Sequence, residues 1–250
     1  MNASAPLRIL LLEDDPVSAE FLRAALSLVA TRVDMATTLA EARALARPLA
    51  HELWLFDANL PDGSGHGLLA ELRDAGISTP ALAHTASTHR DELDGLISAG
   101  FADVLVKPFE MAVLETAIRR VLRIADGGTP DQHDPATTPA LPCAKLPLWD
   151  DESALRALNG RPEHVAAMRV LFRGELPQVS ARIAAASTHG DAAALRDELH
   201  RLRASCGFVG AARLGSAVAT WQTAADSADA QADIEADIQR VIQDTLSSID

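Results

Sequence analysis

The 250 residues hold 22 Lys and Arg against 35 Asp and Glu, a formal net charge of −13, with 48% hydrophobic and 23% charged residues. That composition suits a soluble chain somewhat longer than one average domain, and its acidity works against binding nucleic acid or an anionic membrane surface. Few aromatics, no apolar run of about 20 residues, and two cysteines, Cys143 and Cys206, without a disulfide or zinc spacing complete the exclusions and point to a cytoplasmic protein with no membrane insertion.

Short apolar runs alternate with amphipathic stretches through the first half. Leu7 to Leu12, Arg32 to Ala36, Leu53 to Phe56, Pro80 to Thr85 and Asp103 to Val106 are strand-length. Pro16 to Val29, Thr38 to Ala46, Gly65 to Ala75, His89 to Ser98 and Glu110 to Arg123 have helical spacing. Such a βα alternation predicts an α/β domain over 1–124, a parallel sheet with helices on both faces and its binding crevice at the carboxyl ends of the strands.

Ala125 to Pro147 is rich in Pro and Gly and has no apolar period, so 125–147 is expected to be a linker. Over 148–250 the strand pattern ceases. Apolar residues recur at threes and fours from Val165 to Ile183, Leu195 to Cys206, Leu214 to Trp221 and Ile234 to Leu246, which predicts an all-α antiparallel four-helix bundle after a short leading helix. Gly190-Asp191 and Gly160-Arg161-Pro162 supply stop and start signals, and Pro177 is expected to kink the longest helix.

Four predicted strand ends carry polar residues: Glu13-Asp14, Asp57, Thr85 and Lys107-Pro108. Taken singly, each is an ordinary loop or capping residue. Together they bring three carboxylates to one rim, where mutual repulsion calls for a hard divalent cation, Mg2+ by its preference for oxygen, with a lysine and a hydroxyl opposite. The combination is a cradle for a phosphoryl group on a carboxylate.

Residues 5–124 resemble the two-component receiver domain, through Leu53-Trp-Leu-Phe-Asp57-Ala-Asn-Leu-Pro61-Asp-Gly-Ser-Gly65 and Val104-Leu-Val-Lys107-Pro108-Phe109. The resemblance implies a flavodoxin-like strand order 2-1-3-4-5, Asp57 as phosphoacceptor, and a cis peptide before Pro108. It also implies Mg2+ held by Asp14 and Asp57, by Glu13 through water and by the Asn59 carbonyl, Thr85 as switch hydroxyl, and Lys107 pairing with the phosphoryl oxygens. Val104 stands where receivers commonly carry a mobile Tyr or Phe, which argues against an aromatic switch. Asp15 is read as solvated or capping.

Of eight histidines, seven are read as surface or satisfied core residues. His200 differs because Arg196 and Arg203 lie one helical turn away on either side, beside Ala204 and Gly207, so an exposed neutral imidazole with room for a partner is expected. Glu198-Leu-His200-Arg-Leu-Arg203-Ala-Ser205-Cys-Gly207 resembles the histidine phosphotransfer (HPt) motif, with Arg203 and Ala204 in place of the family's Lys and Gly. The resemblance implies that His200 accepts and donates a phosphoryl group, that Arg203 and Arg196 steady its oxygens, and that Ser205 supports them.

No nucleotide-binding glycine loop accompanies these motifs. The expectation is a phosphorelay intermediate that takes phosphate from a sensor histidine kinase and exchanges it, in cis or with a separate response-regulator receiver, with no nucleic acid involved. The alternatives are an adaptor whose receiver controls access to the bundle and, ranked lower because Asn59 replaces an acid/base Asp, an aspartyl phosphatase.

Overall fold

The computed structural model describes residues 7–125, 146–158, 160–224 and 228–248. The chain divides into two compact units, Met1–Asp134 and Pro135–Asp250. The linker expected over 125–147 lies, apart from its ends, outside the described residues.

The first unit alternates strand and helix: β1 (Arg8–Leu12), α1 (Pro16–Leu26), β2 (Arg32–Ala36), α2 (Leu39–Leu45), β3 (Leu53–Asp57), α3 (Gly65–Asp74), β4 (Ala81–Thr85), α4 (Arg90–Ser98), β5 (Asp103–Val106) and α5 (Met111–Ala125). All five strands pair in parallel in the order β2-β1-β3-β4-β5. This is the flavodoxin-like order implied by the receiver resemblance. Between β3 and α3, Asn59–Leu60 and Gly63–Ser64 form a small antiparallel pair that the sequence pattern did not anticipate.

Alternation along the strands divides the core. Leu10, Leu12, Trp54 and Phe56 pack with Leu68, Leu69 and Leu96 from α3 and α4. The intervening Ile9, Leu11, Leu53 and Leu55, all fully buried, face the other side of the sheet. Burial on both faces is what makes these strands read as continuous apolar runs rather than alternating ones.

Helix starts follow from the capping residues that precede them. The side chains of Asp15, Thr38 and Ser64 accept hydrogen bonds from the backbone N–H groups of Ser18, Glu41 and Gly67. Each such cap contributes about 1 kcal/mol. The cap at Ser64 holds α3 hard against β3: a Cβ on Gly65 would stand 2.0 Å from the Asp57 carbonyl oxygen.

The second unit contains α6 (Asp151–Ala157), α7 (Pro162–His189), α8 (Ala192–Val209), α9 (Ala212–Ala224) and α10 (Ala228–Ser247). Its core takes the expected stripes, with Met168, Phe172, Leu176, Leu199, Leu202, Cys206, Val218, Trp221 and Ile242 all buried. Helix α7 continues through Pro177, whose ring lies on an exposed position. The unit closes on itself where Asp150 N donates to Gly210 O at 2.7 Å, while the Asp150 side chain caps α6. Gly210 ends α8 with φ 72°, and any Cβ there would meet the Asp150 carbonyl oxygen at 2.3 Å.

Candidate functional site

Register explains why the acidic residues converge. Leu12 of β1 pairs with Phe56 of β3, so Glu13 continues beside Asp57, and Asp57 pairs with His84 of β4. In-register neighbours on parallel strands share a face, so Glu13, Asp57 and His84 project together. Lys107, two residues beyond Leu105, the β5 partner of His84, projects the same way. Its Nζ donates to Glu13 Oε2 at 2.5 Å and to Asp57 Oδ2 at 2.7 Å.

All four of these groups are buried. Burial pushes the Glu13 carboxyl well above the ordinary range, more than Lys107 pulls it down. Burial acts on Asp57 in the same sense and is its largest influence, but the Lys107 charge, His84 and the hydrogen bonds from Lys107 and Asn59 N together outweigh it and hold Asp57 below its usual value. Lys107 loses to burial and gains more from Asp57 and Glu13, so its ammonium is held charged. The remaining contacts fix the carboxylates: Asn59 N donates to Asp57 Oδ1 at 2.9 Å, and Asp15 N to Glu13 Oε1 at 3.2 Å.

Asp14 is half-buried next to this cluster, and Thr85 is buried at the end of β4, its Oγ1 accepting from Ser87 N at 3.1 Å. Asp15 caps α1, as expected. The Lys107–Pro108 peptide is cis, also as expected, and it leads into Phe109, buried edge-on to Phe21 at 6.0 Å between ring centroids. Val104 is partly buried against the core, a small side chain where a mobile ring would have stood.

His84 requires a correction. The sequence reads it as an ordinary surface or core residue, whereas it is wholly buried and faces the acidic pair of the crevice. Its Nδ1 lies 3.6 Å from Glu13 Oε2 and 3.7 Å from Asp57 Oδ2. Burial, then the Lys107 charge, lower its pKa to about 3, so the ring is neutral. The signal was present in Ala81-Leu-Ala-His84-Thr85: a histidine in an otherwise apolar central strand next to the strand carrying Asp57.

The donors suit a hard divalent cation. Asp57, Glu13 and Asp14 offer carboxylate oxygens, and one ammonium offsets only part of their charge. Receiver domains bind Mg2+ in an acidic pocket of this kind.

In the second unit His200 sits on α8, half-buried rather than exposed, with Nδ1 turned inward. The reason is the tight stripe of Leu199, Leu202 and Cys206 beside it, together with Ala204, which is buried instead of lining open surface. Arg196 and Arg203 are exposed on the same helix. Arg203 Nη1 donates to Gln222 Oε1 on α9 at 3.0 Å, so it leans across to the neighbouring helix. Gln222 was not anticipated, since no sequence spacing links α8 to α9. Buried Glu198 takes Arg201 at 2.9 Å and Arg182 of α7 at 3.0 Å, which ties the helix carrying His200 to α7. Ser205 is buried beneath.

Comparison with known proteins agrees with this geometry. Residues 9–119 match the response regulator receiver domain and residues 167–250 match the Hpt domain. The transcriptional regulatory protein PmrA of Pectobacterium parmentieri is 34% identical over 126 residues, 49% of this chain and 55% of that protein. The signal transduction histidine-protein kinase BarA of Escherichia coli K12 is 24% identical over 218 residues, 83% of this chain but 23% of that protein. The chain thus spans about half the length of the first of these relatives, and less of the second. Among solved structures, the non-phosphorylated HemR receiver domain from Leptospira biflexa is 32% identical, covering 51% of this chain and 99% of its own with a TM-score of 0.44. No helix among the described residues is long and apolar enough to cross a membrane. The chain is therefore a receiver domain joined to an Hpt domain, two modules of a two-component phosphorelay.

Proposed function

We propose that this protein is a phosphorelay intermediate in which Asp57 and His200 are successive phosphoryl carriers. An upstream kinase phosphohistidine is the donor. An Asp57 carboxylate oxygen forms the new O–P bond as the donor's P–N bond breaks, the electron pair stays on the leaving imidazole, and that nitrogen takes a proton. In the second transfer a neutral His200 nitrogen forms an N–P bond, and Asp57 leaves as carboxylate with the pair from the broken O–P bond. A separate receiver then draws the group from His200.

The observation that carries this reading is the Lys107 ammonium bridging Glu13 and Asp57 in a buried crevice. Preorganised positive charge at the acceptor stabilises the charge that develops on the transferring group. Lys107 is the group to follow a phosphoryl oxygen when Asp57 is modified, and the Thr85 hydroxyl, now engaged with its own loop, is the one to turn toward it. The Asn59 N–H holds the carboxylate orientation. Mg2+ held by Asp14, Asp57, Glu13 and the Asn59 carbonyl would supply further positive charge at the acceptor. On α8, Arg203 and Arg196 supply charge for the phosphoryl group on His200.

The test is phosphotransfer in the full chain with Asp57→Ala and His200→Ala. Label should enter wild type from a kinase and leave to a separate receiver, and each substitution should stop that flow. If Asp57→Ala leaves kinase-to-receiver flow intact, the relay order fails and the adaptor reading, in which the bundle takes phosphate from another donor, replaces it. Label that remains on Asp57 in purified wild type would eliminate transfer within one chain.

A further inference from the structure

Helix α7 carries apolar side chains on two opposite sides, where a helix at the surface of a bundle needs only one. Val165, Met168, Phe172, Leu176 and Ile183 turn into the core. On the other side Ala167, Val170, Gly174, Pro177 and Ala181 are all exposed, Val170 at 69%. From Ala166 to Ala185 the exposed positions, among the described residues, carry one charge, Arg182, and one amide, Gln178. On α8, by contrast, the exposed positions include Arg196, Asp197 and Arg203, the ordinary pattern of a solvated face. A helix that is apolar all round is one that is covered on both sides.

Spacing indicates what covers it. Ala167, Gly174 and Ala181 recur every seven residues, and Val170 and Pro177 fall between them at the three-and-four spacing of a coiled-coil seam. Glycine and proline both weaken a helix interior. The bundle itself does not require Gly174, since a Cβ there would meet nothing within 4 Å. A glycine on such a face serves the close approach of a second backbone. We propose that the outer face of α7 is the contact between two copies of this chain, an antiparallel pair of α7 helices about a twofold axis at Gly174.

The face complements itself about that axis. Val170 of one copy, the bulkiest apolar side chain of the seam, enters the hole between Gly174, Pro177, Gln178 and Ala181 of the other, and symmetry repeats the contact. Charge fits as well. Arg182 of one copy comes level with Ala166 of the other, one turn from Glu163, so unlike charges meet at both ends. The Arg182 side chain pairs with Glu198 yet stays 47% exposed, and its five donors suffice for a second carboxylate. A parallel pair would instead set Glu163 beside Glu163 and Arg182 beside Arg182. One helix pair is a small contact, so the dimer is of the reversible kind. The proposal borrows nothing from the relay reading, whose carriers lie on β3 and α8.

The test is sedimentation velocity on the full chain, diluted from about 1 mM to about 1 µM, with Val170→Glu alongside. Wild type should pass from monomer to dimer as concentration rises. Val170→Glu, with its circular dichroism unchanged, should weaken association at least about 10-fold. Crosslinking reads the geometry: on mild oxidation Gly174→Cys should form covalent dimer beyond the wild-type level set by Cys143 and Cys206, whereas Ala167→Cys should do so only when mixed with Ala181→Cys. A wild type that stays monomeric to about 1 mM, a dimer equally tight in Val170→Glu, or an Ala167→Cys protein that crosslinks to itself overturns the proposal. The Gly174→Cys result stands even if Val170→Glu folds poorly, and no excess crosslink there overturns it too.

Discussion

Asp57 and His200 are built in opposite ways. Asp57 is sunk at the meeting point of strand ends, with Lys107 at 2.7 Å and Asn59 N at 2.9 Å, in a buried setting. His200 lies half-buried on the side of one helix, with Arg196 and Arg203 exposed on that same helix. The difference teaches where each carrier's chemistry comes from. The aspartate side brings its own electrostatic surroundings, whereas the histidine side offers a nucleophile and leaves most of the surroundings to whatever docks on it. Substitutions near Asp57 should therefore disturb folding and transfer together, and those near His200 should disturb transfer alone.

The strongest test of that contrast is Lys107→Ala. It leaves two buried carboxylates without their ammonium, and breaking a buried pair in this way costs about 3–5 kcal/mol. Denaturant unfolding of the first unit should register that loss, and phosphoryl acceptance should fall by about 10²-fold or more. Stability within about 0.5 kcal/mol of wild type would mean that the crevice is not held by this pairing. Next comes Gly65→Ala, which pushes a methyl group into the Asp57 carbonyl. Overpacking of this sort costs about 1–3 kcal/mol, and acceptance should slow with it because β3 must shift; an unchanged midpoint would refute the overlap.

Two smaller predictions concern the second unit. Asp150 accepts from Ser153 N and Ser153 Oγ, and those bonds hold its pKa below the usual value. A carboxylate with a lowered folded pKa adds stability that is fully present above its unfolded value, about 3.9, and lost as pH falls through the folded one. Asp150→Ala should thus cost about 1 kcal/mol at neutral pH, with the gap to wild type closing below about pH 3.9. A gap that widens on acidification contradicts the cap. The least stability change is expected for Arg203→Ala, within about 0.5 kcal/mol, alongside slower transfer from His200. Slower transfer accompanied by a comparable loss of stability would move Arg203 into a structural role through Gln222.

Much of this was legible because the signals were local. Apolar runs and the stop and start signals at Gly190-Asp191 and Gly160-Arg161-Pro162 act within a few positions, so both the sheet and the bundle could be read from spacing. The crevice was half legible. Glu13, Asp57 and Lys107 stand at strand ends whatever the exact register, but His84 depends on β4 being aligned so that His84 faces Asp57, and spacing along the chain carries no register. His51 shows the contrast: it too is buried, but it lies away from the crevice and its Nε2 meets Asp34 Oδ2 at 3.0 Å. At His200 the motif located the residue, but how far it projects depends on how α8 packs against its neighbours, as does the reach of Arg203 to Gln222.

The junction of Asp150 with Gly210 bears on how small the Hpt module can be made. The family match begins at residue 167, yet α6 and the backbone ahead of it grip the far end of α8, Trp149 Nε1 donates to Ser248 Oγ at 3.0 Å, and the Arg169 guanidinium lies 4.6 Å over the Trp149 ring. A fragment cut at the family boundary would expose Phe172, which Trp149 covers edge-on, and would leave the carbonyl of Gly210 without its donor. The minimal autonomous unit for interaction mapping or crystallisation therefore starts no later than residue 146, and the bundle counts five helices for that purpose rather than four.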